Sequence, residues 1–298
     1  GEDFKPFREK LIDEEKKKIK QLFRQEISIG ERLDLEVTTV LLKDEAKDKG
    51  VLIIFHDVTR DKLVERMKTE FVSISAHQLR TPLSAIKWTL RMVLDGDTGK
   101  LNDEQQELLE KTYVSNERMI SLINDLLNVS RIEEGRFLYK QEPGKLEDVI
   151  NAVVNSSQEL LKMKKIILKM NLSQDIPLVN IDKEKMELAV QNLLENAAKY
   201  TPEGGSIDIS LEKHEAEVVF KIKDTGVGIP ETEHERIFTK FFRGENVIKM
   251  ETEGSGLGLY TTRNIIDAHR GKIWFESKEG EGTTFFFSLP FAKQTLTA

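Results

Sequence analysis

The sequence contains no cysteine. That excludes disulfides, thiolate nucleophiles and zinc–cysteine sites, and it fits a reducing, cytoplasmic setting. No apolar run approaches the ~18–20 residues that cross a bilayer. The charged start does not read as a signal peptide, although a membrane segment in a longer parent stays open. Positive charge is not in excess: 45 Lys and Arg stand against 52 Asp and Glu, a net charge of -7. This argues against a nucleic-acid binder held by a general basic surface. No internal repeat or low-complexity tract stands out. The 298 residues are 33% charged and 39% hydrophobic, as expected of a soluble, helix-rich protein with two domains or three small ones.

The stretch Phe71–Leu83 organises the rest. Val64, Met67, Phe71 and Ile74 step by three and four, as one helix face does, and Leu79, Leu83, Ile86, Leu90 and Val93 continue the stripe after a step of five. The break in phase falls at His77, which at about 100° per residue lies roughly opposite Leu79 and Ile86. His77 therefore points outward, with Thr81 on the next turn, and Pro82 invites a kink. By itself this is equally a surface histidine on an amphipathic helix.

Before it, a charged helix over roughly Lys5–Gln25 leads into two strands, Leu33–Leu41 and Val51–Phe55, joined through polar residues 43–50. After it, the helix from Asp61 ends near Leu94 at Asp95-Gly96-Asp97-Thr98-Gly99. A second helix opens at Asn102 with Gln105 three residues on, which is capping-box spacing, and stops at Glu134-Gly135. Its apolar stripe is Leu109, Met119, Ile120, Ile123, Leu126 and Leu127. Such a hairpin has too little core alone, so pairing with a second copy into a four-helix bundle is the natural solution; packing on another domain is the alternative. Past a linker at Lys140–Lys145, helices and strands mix. A helix over Leu146–Leu161 precedes a strand at Ile166–Leu172, and Asp182 is a good helix N-cap. Strands follow at Ile207–Leu211, Val218–Lys223, Ile273–Ser277 and Thr283–Leu289, with a helix at Leu257–His269. This is an α/β sandwich.

Three segments of that sandwich carry chemistry. On the helix after Asp182, Met186, Val190, Leu193 and Ala197 make the buried stripe, and Asn192, Asn196 and Lys199 form a polar line beside it. Carboxamide oxygens can ligate magnesium without adding charge, and a lysine suits phosphate; a solvated helix face gives the same line. Asp224-Thr225-Gly226-Val227-Gly228 puts an acid at a strand end with two glycines behind it. The acid can accept from an exocyclic amine such as that of adenine, and a plain strand turn fits equally. Gly254-Ser255-Gly256-Leu257-Gly258 opens the last helix, where free N–H groups cradle phosphate, or simply form a flexible loop. Between them, Ile237–Arg243 and the polar run Gly244–Glu253 read as a lid over a nucleotide, or as core aromatics with a surface loop.

The string His77-Gln78-Leu79-Arg80-Thr81-Pro82-Leu83 resembles the phosphoacceptor motif of bacterial sensor histidine kinases. The three later segments, in order and spacing, resemble the Asn-, glycine- and Phe-rich boxes of their ATP-binding domain. That domain has the GHKL (Bergerat) fold shared with gyrase, Hsp90 and MutL. The resemblance covers roughly Asp61–Pro290. Val51–Arg60 is similar to the last strand of a PAS sensor domain and its helical junction. The resemblance implies a multidomain protein. Residues 1–60 would be a partial PAS-like α+β sensor segment, and 61–140 a dimerising, phosphoaccepting hairpin. Residues 141–292 would be the catalytic ATP-binding domain and 293–298 a tail. Implied are ATP and Mg2+, a homodimer, a response regulator receiver domain as partner, and no nucleic acid or membrane segment in this chain.

Carried over residue by residue, Asn192 and Asn196 lie near the metal and phosphates, with Lys199 at the phosphates and Arg243 toward the γ-phosphate. Tyr200 lines the site, Asp224 reads the adenine amine, and Gly226 and Gly228 shape its pocket. Gly254, Gly256, Leu257 and Gly258 sit at the phosphates. His77 would accept the γ-phosphoryl group and pass it to an aspartate of the regulator, while Thr81 would position water for regulator dephosphorylation. The sequence departs from the family at Gln78, where an acid usually orients the histidine and takes its proton. A dimeric nucleotide-binding scaffold with weak or no kinase activity is the alternative reading. An amide has no useful basicity, so Gln78→Glu is expected to autophosphorylate faster than the parent in initial-rate measurements of phosphohistidine. An equal or slower rate removes the role assigned to position 78.

Overall fold

The structure is a computed structural model that describes residues 12–13, 18–30, 33–44, 47–135, 137, 139–173, 175–244, 247 and 254–292. It divides into two compact units, residues 1–72 and 73–298. Among the described residues no helix is long and apolar enough to cross a membrane.

In the first unit, the short strands β1 (Ile12–Asp13) and β2 (Lys18–Ile19) pair antiparallel. A helix was expected across Lys5–Gln25. Residues 5–11 and 14–17 of that stretch lie outside the described residues, and its described part holds the strands Ile12–Asp13 and Lys18–Ile19. Helix propensity is a weak prior that pairing overrides. Strands β3 (Gln25–Ile29), β4 (Leu33–Asp44) and β5 (Lys47–Asp57) form an antiparallel sheet in the order β3-β4-β5. The β4–β5 pairing runs out to Asp44 opposite Lys47, so the connection is much shorter than residues 43–50, with a bulge at Leu42/Lys43. Ile27 and Val37 form the small core.

Helix α1 (Thr59–Leu94) begins on a polar knot. Asp57 Oδ1 accepts from the Thr59 amide (3.0 Å) and hydroxyl (2.6 Å), and these bonds hold its carboxyl below the usual value. Thr59 Oγ1 accepts from the Asp34 amide at 2.9 Å, and the Val58 amide donates to Asp34 O at 3.0 Å.

In the second unit α1 meets α2 (Asp103–Glu133) as an antiparallel hairpin. Ala76 packs with Ile123 and Leu127, and Leu83 and Leu126 flank them. Lys87 pairs with Glu117 at 2.9 Å, buried Asn116 donates to Leu83 O at 3.0 Å, and Arg80 bonds Asn124. Gly96 and Gly99 take positive φ in the turn, and the capping box closes as its spacing predicts: Asn102 Oδ1 accepts from Gln105 N, and Gln105 Oε1 from Asn102 N. Such a cap stabilises by about 1 kcal/mol. The single chain leaves Leu79 54%, Ile86 46%, Trp88 69% and Leu108 59% exposed.

Beyond Gly135 the chain does not run free to Lys145. Phe137 is buried in the next core, and β6 (Glu142–Gly144) pairs with β8 (Val179–Ile181). The expected linker is thus docked structure. The helix expected over Leu146–Leu161 divides at Ser157, the only break between α3 (Leu146–Ser156) and α4 (Gln158–Met163). Strands β7 (Ile167–Leu172), β9 (Ser206–Lys213), β10 (Glu217–Asp224), β11 (Lys272–Lys278) and β12 (Gly282–Pro290) make a sheet in the order β11-β12-β10-β9-β7, parallel at β7–β9 and antiparallel elsewhere. Burial alternates along β9 and β10, so one face packs inward. There Phe220 and Phe287 stack at 4.6 Å, in one core with α5 (Lys183–Tyr200) and α6 (Gly258–Ala268).

The N-cap of α5 is Asp182, whose Oδ1 accepts from Lys185 N at 3.1 Å and whose Oδ2 accepts from Lys140 N at 2.7 Å. Its own amide donates to Nε2 of buried His269 at 2.9 Å, and His269 Nδ1 donates to Ile265 O at 2.7 Å. Both ring nitrogens are thus committed to the neutral imidazole. Burial holds its pKa below the ordinary value, against the Ile265 bond and the Asp182 charge. With the folded value below the unfolded one, about 6.5, the unfolded chain binds more protons as pH falls through that range. The contribution is complete above that pH and is lost below it. Urea unfolding is expected to show stability falling from about pH 7.5 to about pH 5.5, with a shallower slope in His269→Gln. Equal slopes would exclude His269 as the source.

Candidate functional site

A cleft of about 740 Å³ lies at the end of the sandwich, between α5, the end of β10, the loop before α6 and one side of α2. Each predicted segment of the sandwich reaches it. Because Met186, Val190, Leu193 and Ala197 are buried, α5 is rotationally fixed and turns Asn192, Asn196, Lys199 and Tyr200 to the cleft. Asn192 Nδ2 donates to Gly258 O (3.2 Å) and Thr262 Oγ1 (3.3 Å), which leaves its carboxamide oxygen as the acceptor. That atom type, with the Asn196 amide beside it in the cleft wall, fits a hard divalent cation accompanied by phosphate oxygens. Among the described residues no cluster of three His, Cys, Asp or Glu could hold a metal by itself.

At the end of β10, Asp224 is 5% exposed. Its Oδ1 accepts from Gly226 N (2.8 Å) and Thr283 N (3.1 Å). Desolvation pushes the carboxyl above its ordinary value, and the two amide bonds oppose this. Two backbone donors thus hold one oxygen in place, leaving Oδ2 for an outside donor. The neighbouring glycines are needed sterically. A Cβ on Gly226 would stand 2.6 Å from Tyr200 O. One on Gly228 (φ +67) would stand 2.1 Å from Lys278 O.

The third segment converges on cations. A Cβ on Gly254 (φ +137) would meet Lys199 Nζ at 3.0 Å and Arg243 Nε at 3.8 Å, so both charges border the same glycine. Gly256 (φ +67) lets the loop pass the Phe241–Phe242 backbone, where a Cβ would stand 2.7 Å from Phe242 O. Leu257 is buried and anchors the start of α6, and Gly258 faces Asn192. Of the expected lid, residues 245–246 and 248–253 lie outside the described residues.

His77 is exposed, as its place off the stripe predicts, and so are Gln78 and Thr81. None of the three lines the cleft. The structure gathers the sandwich segments and leaves the histidine apart. Sequence reasoning missed Ser115, Arg118, Met119, Leu122 and Asp125 of α2, which do line it. Their steps of three and four mark a second face of α2 that was readable, but only beside a partner.

Residues 67–135 match the His Kinase A (phospho-acceptor) domain, and residues 181–293 match the histidine kinase-, DNA gyrase B-, and HSP90-like ATPase family. The chain belongs to the sensor histidine kinases. It is 31% identical over 258 residues to the sensor histidine kinase WalK of Bacillus subtilis, covering 86% of this chain and 42% of that one. It is 32% identical over 249 residues to the sensor protein kinase WalK of Staphylococcus aureus, covering 81% of this chain and 58% of that one. It therefore spans about half or less of these relatives. The crystal structure of full-length ShkA in complex with AMPPNP superposes with a TM-score of 0.63 at 26% identity, over 75% of this chain and 46% of that one. In this chain the turn at Gly228 tolerates no side chain. Gly228→Ala is expected to lower stability by about 2 kcal/mol or more in thermal or urea unfolding, because a backbone carbonyl must move. An unchanged midpoint would contradict the packing at Lys278.

Proposed function

We propose that this chain is the catalytic core of a two-component sensor histidine kinase that autophosphorylates His77 from ATP and passes the phosphoryl group to an aspartate of a response regulator receiver domain. The observation that carries the reading is the convergence of Asn192, Asn196, Lys199, Asp224, Arg243 and the Gly254–Gly258 loop on one cleft, in a chain that presents an exposed histidine on a helical hairpin. Asp224 Oδ2 accepts from the adenine amine while Gly226 and Gly228 leave room for the ring and Tyr200 lines the site. Lys199, Arg243 and the amides around Gly256, Leu257 and Gly258 face the phosphates. Mg2+, when bound, neutralises phosphate charge, and Asn192 and Asn196 would hold it.

A lone pair of the neutral His77 imidazole attacks the γ-phosphorus, the bond to the β–γ bridging oxygen breaks, and ADP leaves. Gln78 orients the ring through a hydrogen bond, and the ring proton goes to solvent. Positioning and charge supply most of the acceleration. Thr81 orients water when the phosphorylated regulator is hydrolysed. The apolar residues that α1 and α2 leave exposed fit a second copy in a four-helix bundle, so the acting species is a homodimer. Residues 1–60 are the C-terminal part of a PAS-like sensor, 61–140 the dimerisation and phosphotransfer domain, and 141–292 the ATP-binding domain, in a cytoplasmic setting.

Incubation with γ-labelled ATP is expected to give acid-labile, alkali-stable label on the parent and none on His77→Ala. Label should then move to a receiver domain on chase. Undiminished label on His77→Ala would assign the acceptor elsewhere.

A further inference from the structure

Helix α2 belongs to the phosphoacceptor hairpin, yet it touches the loop expected to cradle phosphate. Ser115, Arg118, Met119, Leu122 and Asp125 recur along one face of α2 and wall the cleft. Ile123 and Leu127, on another face, pack against Ala76 of α1. At the foot of the first face, Ser255 Oγ donates to Asp125 Oδ2 at 2.8 Å, and the same hydroxyl accepts from Leu257 N at 3.2 Å. Ser255 stands between Gly254 and Gly256, one residue from where Lys199 and Arg243 converge. A carboxylate of the hairpin thus rests on the part of the cleft best suited to an anion. It is not comfortable there: burial and the Glu195 charge push its carboxyl up, while Ser255 pulls it down. A second tie joins the same helix to the sandwich, where Lys240 pairs with Glu133 and its ammonium lies 5.3 Å from the Tyr260 ring centroid.

We infer that the Asp125–Ser255 hydrogen bond is a latch that holds the hairpin against the phosphate cradle, and that the polyphosphate of ATP competes with Asp125 for that position. The inference rests on the ATP-site reading above. A triphosphate on the Gly254–Gly258 loop places negative charge against the Asp125 carboxylate and claims the hydroxyl and amide donors that Ser255 and Leu257 now commit to the latch. Phosphate binding and latch closure then exclude one another, and nucleotide shifts the protein toward the released form by its differential affinity. In the latched arrangement His77 lies outside the cleft. Release frees the ATP-binding domain to bring the γ-phosphate to it. Asp125 acts as a regulatory residue that contacts neither the base nor the reacting atoms.

Calorimetric titration of the full chain with MgATP, MgADP and adenosine tests this. Asp125→Asn and Asp125→Ala are each expected to bind MgATP about fivefold or more tighter than the parent. Adenosine, which lacks phosphates, should bind parent and variants alike. Glu195→Gln removes a charge from the same cleft without touching Ser255, and its effect on MgATP should be clearly smaller. If the parent binds MgATP but the Asp125 variants bind it no tighter, or gain no more than Glu195→Gln, the latch is overturned. If adenosine tightens equally, the effect is general repacking, and the latch is again overturned. If the parent binds neither MgATP nor adenosine, the ATP-site reading fails, and the latch with it.

Discussion

Burial of one stripe of α5 fixes most of what the sandwich does. Met186, Val190, Leu193 and Ala197 are closed against the core, so the helix has no freedom to rotate about its axis. Asn192, Asn196 and Lys199 sit on the adjacent line and are turned to the cleft by that constraint. The axial position is set separately. Asp182 caps the first turn, and His269 accepts the Asp182 amide, so the last helix and the start of α5 are tied through one neutral imidazole. Loss of either constraint displaces polar groups whose use depends on sub-ångström placement.

The parts of this arrangement that were legible in the sequence are those with local physical signatures. The capping box at Asn102 and Gln105, the breaker at Asp95–Gly99, the α5 stripe and the outward His77 each follow from spacing within a turn or two, and each is found. What stayed hidden depends on distant partners. β6 and β8 are three residues long, too short to show a period, and exist because each pairs with the other. Residues 140–145 carry Lys, Gln, Pro and Gly and look like a linker. They are held by Lys140 on Asp182, a contact to a residue more than forty positions away, while Phe137 ahead of them is buried in the core. The charged stretch before Gln25 misleads for the opposite reason: helix-forming composition carries no information about the strands available to pair with it.

Helix α2 illustrates the limit best. One face, Ile123 and Leu127, was readable as core because its residues are apolar. The face through Ser115, Arg118, Leu122 and Asp125 mixes polar and apolar residues, and its pattern is that of an ordinary solvated surface. Its meaning appears only when the glycine loop is placed against it. Hairpin and sandwich share one unit, with Ile132 packed on the sandwich core, so the contact is a property of the folded chain and of neither part alone.

Two of the acids that face the cleft, Asp224 and Asp125, sit under different constraints, and that difference separates recognition from regulation. Asp224 is held by two main-chain amides, Gly226 and Thr283, on a strand end that cannot move without disturbing the sheet. Its desolvation is permanent and is offset by donors that are always present, which suits a fixed reader of a ligand amine. Asp125 is desolvated only while the hairpin lies on the glycine loop, and its partner is a single serine hydroxyl of the other domain. Returning it to water recovers solvation and costs one hydrogen bond from a hydroxyl to a carboxylate, worth about 1.5–3 kcal/mol, so two opposing terms set the balance between the two states. A contact poised in this way has little to add to stability, and a competing anion of the right geometry can tip it.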